Sequence, residues 1–129
     1  MKTITTTLVS MLLVLMTSGA QADVTLADNS KILGKWKVNA EALGIDKQKK
    51  ILNVRWEFLP NGVLKTVGED TLGRTSEMDI DVKYSVESGV IKKQVSPGRE
   101  KYEDCAVVEL EGSSMILKCK GLYLFMTRK

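Results

Sequence analysis

The chain has 129 residues with 19 basic and 16 acidic side chains, a net charge of +3, two cysteines, six methionines and no histidine. Acids and bases are mixed along it with no long run of one sign, which excludes the basic face that nucleic acid requires. The missing histidine excludes Ser-His and Cys-His nucleophile pairs and the commonest zinc ligand.

Lys2 is the single charge ahead of the apolar run Leu8–Met16, which gives way to the small and polar residues Thr17–Ala22. That is the arrangement of a Sec-type signal peptide, and Ala20-Gln21-Ala22 meets the small-x-small rule, so cleavage is expected after Ala22. The run is too short for the roughly 20 apolar residues that span a bilayer. No cysteine sits immediately after the cleavage point, so neither a retained helix nor a lipid is expected to anchor the mature chain. Residues 23–129 are then one periplasmic or secreted domain with room for one core.

Asp28, Asn29 and Ser30 are all helix-capping residues, and they predict one short helical turn ahead of Ile32-Leu33. Gly34-Lys35-Trp36-Lys37-Val38 then opens a strand with Trp36 and Val38 facing in. Residues 39–53 are the least legible: Gly44 interrupts one pattern and Asp46–Leu52 is only two turns long. A short helix after Asp46 and an exposed loop both stand there.

Val54–Leu59 alternates again, Pro60-Asn61-Gly62 forms a tight turn, and Val63–Val67 returns. Residues 68–76 read as a polar loop. From Glu77 to Val86 the alternation is unbroken, with Met78, Ile80, Val82, Tyr84 and Val86 on one face and Asp79, Asp81, Lys83 and Ser85 on the other. Such a strand is half in a core and half in water. Glu87-Ser88-Gly89 turns the chain, Val90–Val95 returns, and Ser96–Glu100 breaks it. Strands are expected over Tyr102–Leu110, Ser114–Lys120 and Leu122–Thr127. Eight short strands joined mostly by short turns imply an all-β, eight-stranded antiparallel meander barrel whose first and last strands meet.

Two cysteines in an exported chain favour a disulfide. A three-residue loop at Glu111-Gly112-Ser113 pairs Leu110 with Ser114 and, counting outward, Cys105 with Cys119. Glu77, Asp79 and Asp81 repeat about every 7 Å along one strand face, a spacing that suits a calcium ion or an acid–base pair but equally an ordinary solvated face, and the solvated face is the expectation. Met78, Met115 and Met126 lie on apolar faces and read as core filler rather than copper ligands. Lys35 and Lys37 would make a basic patch with Lys92 and Lys93 if their strands were adjacent. No phosphate loop and no catalytic constellation is present, so neither enzyme chemistry nor a cofactor or metal is expected.

Gly34-Lys35-Trp36 after a helical turn resembles the Gly-x-Trp signature of lipocalins, and Arg128 beyond the last strand resembles the basic residue that this family stacks on its tryptophan. Phe58 before Pro60-Asn61-Gly62, Tyr84-Ser85-Val86 before Gly89-Val90-Ile91 and an aromatic-rich last strand keep the same order. The resemblance runs from Leu33 to Arg128 and is closest to small exported bacterial lipocalin-like domains. The C-terminal helix and the middle motif of the family are missing. The resemblance implies that Trp36 closes one end of the barrel with Arg128 over its indole, Gly34 bending the chain into place. It further implies a binding module for a small, mostly apolar ligand, with Trp56, Phe58, Val82 and Tyr84 near the site. The alternative is a periplasmic protein-interaction module, an inhibitor or assembly factor, with a filled barrel and no ligand.

Overall fold

Every stretch in which apolar and polar residues alternate forms a strand, because that period puts all the apolar side chains on one side of a pleated chain. The computed structural model describes residues 23–68 and 78–129; the expected signal peptide and most of the polar loop after β3 lie outside the described residues. The strands are β1 (Gly34–Ala42), β2 (Lys50–Phe58), β3 (Val63–Gly68), β4 (Met78–Glu87), β5 (Val90–Gln94), β6 (Tyr102–Glu111), β7 (Ser114–Cys119) and β8 (Leu122–Arg128). Each pairs antiparallel with the next, and β1 also pairs with β8, so the sheet closes into a barrel. Closure leaves neither the first nor the last strand as a free edge.

The inner faces form one continuous core that includes Trp36, Val38, Phe58, Leu64, Ile91, Val107, Met115 and Leu117. One end is covered by the chain preceding β1. Val24 bridges to Val107, the Leu26 N–H donates to the Gly89 carbonyl, and Leu26 and Ile32 are buried. Where a helical turn was expected, the Asn29 carbonyl accepts from both the Ile32 and Leu33 N–H groups, and the segment is a hydrogen-bonded turn with no helix assigned to it. The Asp28 carboxylate accepts from the Ser30 N–H, and hydrogen bonds to Ser30 hold its pKa below the ordinary aspartate value.

Residues 39–53 contain no helix: β1 runs on to Ala42, β2 begins at Lys50, and a loop with one turn from Gly44 to Lys47 joins them. The register explains why the pattern was hard to read. Trp36 and Val38 pair with Trp56 and Val54, then the pairing shifts by one across Asn39. Cross-strand partners share a face, so Glu41, opposite the buried Leu124, turns inward. Ala40 and Ala42, opposite Phe125 and Tyr123, are buried but fall outside the core cluster. The register changes halfway along β1 while burial goes on alternating through Trp36, Val38, Ala40 and Ala42.

A second correction concerns the β6–β7 hairpin. Its loop has two residues, Gly112 and Ser113, since Glu111 pairs with Ser114, and a bulge between Val107 and Glu109 then shifts the register back. The two offsets cancel at Cys105 and Cys119, which pair directly and form a disulfide.

Candidate functional site

The end opposite Trp36 carries a polar lining that begins with β5. Ile91 is buried, so Lys93, two residues on, projects to the same inner side. On β6 the buried Cys105 fixes the direction of Glu103 in the same way, and Lys93 and Glu103 are direct cross-strand partners. Lys93 Nζ lies 2.6 Å from Glu103 Oε1, and each side chain is only 15% exposed. This is a charge-assisted hydrogen bond largely shielded from water. Lys120 Nζ stands 4.0 Å from the other Glu103 oxygen. The Lys93 ammonium is also 5.8 Å from the Trp56 ring centroid, so one cation faces both a carboxylate and an indole.

Beneath the pair the lining becomes apolar. Trp56 meets Phe58 edge-on at 6.0 Å, and Phe58 meets Tyr84 edge-on at 5.0 Å. The Tyr84 hydroxyl donates to the Leu59 carbonyl at 2.6 Å and accepts from Asn29 Nδ2 at 3.2 Å, tying this stack to the covered end. Among the described residues no buried side-chain nitrogen or oxygen lacks a partner. Of the four residues expected near a ligand, Phe58 and Tyr84 therefore sit in the packed lower half. Trp56 borders the Lys93–Glu103 pair, and Val82, opposite Leu64, is one step lower.

The wall beside Lys93 has a local break. Only Tyr84–Glu87 of β4 pair with β5. At the next position the Gln94 side chain replaces the backbone ladder: its Oε1 accepts from the Lys83 N–H and its Nε2 donates to the Arg99 carbonyl. Along Met78–Val82 the β5 side of the strand has no ladder partner among the described residues. The large apolar side chains that stand exposed gather round this same end. Leu43 and Ile45 are on the β1–β2 loop, Ile51 is the second residue of β2, and Met78, Tyr102 and Leu122 open their strands.

At the covered end the Trp36 ring is fully buried, its Nε1–H donates to the Ile32 carbonyl, and the Arg128 guanidinium carbon lies 4.2 Å from its centroid. Arg128 also donates to the Leu33 and Lys31 carbonyls at 2.7 and 2.8 Å. Gly34 has φ +108°, and a Cβ there would stand 3.4 Å from the same guanidinium.

The strand adjacency on which a lysine patch depended is not met. β1 pairs with β2 and β8, β5 with β4 and β6, and Lys93 points into the barrel. Asp79 and Asp81 are exposed beside an outer groove of about 450 Å³, which Lys35, Arg55, Glu57 and Lys65 also line; Glu77 lies outside the described residues. Glu103 and the two cysteines bring three donor atoms within 4.8 Å of one another, but the disulfide leaves no thiolate to ligate a metal. The Lys93–Glu103 pair escaped the sequence reading, which considered Lys93 only as part of a conditional lysine patch and did not single out Glu103. Its signal was the two-residue spacing of Lys93 from Ile91 and of Glu103 from Cys105.

A closed, eight-stranded antiparallel barrel entered through Gly-x-Trp, with an arginine over the indole, is a lipocalin-like fold. The solved structures agree. The chain is similar to a lipocalin-like protein from Bacteroides uniformis, at 17% identity and a TM-score of 0.63 over 77% of this chain and 99% of that one. It is also similar to an uncharacterized protein from Bacteroides eggerthii, at 15% identity and a TM-score of 0.59 over 75% and 98% of the two chains. No protein-family model and no curated protein matches the sequence.

Proposed function

We propose that the chain is exported through its first 22 residues and serves as a binding barrel for a small, mostly apolar molecule with one polar group. The observation that carries this reading is the Lys93–Glu103 pair, which lies inside the barrel beside Trp56 and above an apolar floor. Burying two charges costs several kcal/mol per ion before their attraction offsets it. A barrel that is only filled would gain more from aliphatic side chains at these positions. A paired cation and carboxylate next to an indole gives a ligand's polar end something to bond while its apolar part lies against Trp56.

The probe is 1-anilinonaphthalene-8-sulfonate, added to the protein while tryptophan emission and melting temperature are followed. Energy transfer from Trp56 and a rise in melting temperature are expected. Both should be reduced in Trp56→Phe and in the double variant Lys93→Met/Glu103→Gln. Equal binding by these variants and the parent, or no binding at all, refutes the reading.

A second reading is an interaction module that acts on another exported protein. It is supported by the packing of Phe58, Tyr84 and Trp36, which fills the lower half of the barrel. A macromolecule that co-purifies with the protein, with no small molecule present, would favour it.

A further inference from the structure

The two ends of the barrel differ in chemistry as well as in closure. The turns at the covered end, residues 59–62, Ser88-Gly89 and Gly112-Ser113, carry no charge, and their single large apolar side chain, Leu59, is partly buried. At the open end the β1–β2 loop exposes Leu43 and Ile45 to 79% and 48%, and Ile51 to 76% just beyond it. The same eight residues from Leu43 to Lys50 include Lys47, Lys49 and Lys50 against one acid, Asp46. All three lysines are exposed; Lys49 Nζ lies 4.2 Å over the Phe125 ring and Lys50 is 4.0 Å from Glu41.

Exposed aliphatic side chains cost free energy in water, and three lysines held among them repel a second copy of the same rim. An anionic lipid surface satisfies both features at once. Leu43, Ile45 and Ile51 enter the interfacial layer while the ammonium groups, on flexible stems, remain at the phosphates. We infer that the open end docks reversibly on an anionic lipid bilayer through the β1–β2 loop and the start of β2. Residues 69–77, outside the described residues, carry three acids and one base by sequence, so the attraction is assigned to Lys47, Lys49 and Lys50 rather than to the whole end. The inference goes beyond the binding reading and does not depend on what the barrel holds.

The test is cosedimentation of the full chain with vesicles of phosphatidylcholine alone and of phosphatidylcholine with phosphatidylglycerol in equal parts. Binding to the mixed vesicles is expected, with weak binding to the neutral ones and release by added salt. Two double variants, Lys47→Glu/Lys50→Glu and Leu43→Asp/Ile45→Asp, should each weaken partitioning by about fivefold or more at unchanged melting temperature. Asn61→Asp, on a turn at the covered end, should leave it unchanged. The inference is overturned by absence of binding to either vesicle, by equal binding to both, or by binding that neither double variant affects. Concentration-dependent dimerisation that the rim variants abolish overturns it as well. Loss of vesicle binding with anilinonaphthalene binding intact would count against docking alone, and the reverse against the ligand reading alone.

Discussion

At the scale of single residues, the inner face of the barrel is decided by Lys93 and Glu103. Removing one charge strands the other where water reaches it poorly, so Lys93→Met or Glu103→Leu should each cost about 1–3 kcal/mol, below the 3–5 of a fully buried pair because both side chains keep some exposure. The double replacement should cost less than either single one, and denaturant melts of the three variants would show it. A double variant as unstable as the two singles added together would mean that the charges act separately. The pair was readable in principle, since each partner lies two residues from a buried neighbour on its own strand. Lysine and glutamate are so seldom buried that residue type outweighed strand parity. Arg128 shows the opposite case. Its guanidinium covers the Trp36 indole and bonds two carbonyls of the chain entering β1, so one side chain joins both ends of the domain. Arg128→Ala should lower stability by about 1–3 kcal/mol in thermal unfolding, and Arg128→Lys should recover only part because an ammonium lacks the flat fork that reaches both carbonyls. An unchanged melting temperature in Arg128→Ala would remove the stacking from the account.

At the scale of elements, the hairpins are set by turns that demand positive φ. Ser88 and Gly89 have φ of 52° and 81°, and Lys120 and Gly121 have 50° and 85°, the pattern that matches the right-handed twist of tight hairpins. A Cβ on Gly89 would stand 2.7 Å from Thr25 Cγ2, in the segment that covers the barrel end. Gly89→Ala should therefore cost more than the roughly 1 kcal/mol of the backbone effect alone. Ser88→Asn should raise stability by about 0.5 kcal/mol, because asparagine accepts this conformation more readily. Paired thermal melts would reveal both signs, and a stable Gly89→Ala would show that the covering segment is not held there. The alternation along β4 and the turns at Asn61-Gly62 and Ser88-Gly89 made most strands legible from sequence. What was not legible lay at irregularities. The register shift at Asn39 leaves Ala40 and Ala42 buried yet outside the core cluster, and the bulge between Val107 and Glu109 offsets a hairpin loop one residue shorter than expected. A period of two carries no signal for a strand that changes register partway along.

At the scale of the whole molecule, the fold sorts its chemistry along the barrel axis. Aromatic packing, the covering N-terminal segment and uncharged turns occupy one end; an inward ion pair, a break in the β4–β5 ladder and exposed aliphatic side chains occupy the other. Closure of the sheet was legible, because eight short strands with no exposed edge to spare have few other solutions. The polarity between the ends was not, since it depends on which loops share an end and therefore on topology. The binding reading depends on that polarity. Its most direct test is native mass spectrometry of the protein isolated from its own host cells. The account predicts a population carrying an extra small mass that the Lys93→Met/Glu103→Gln variant no longer holds; the bare chain mass from every preparation, or an added mass that survives in the variant, would contradict it.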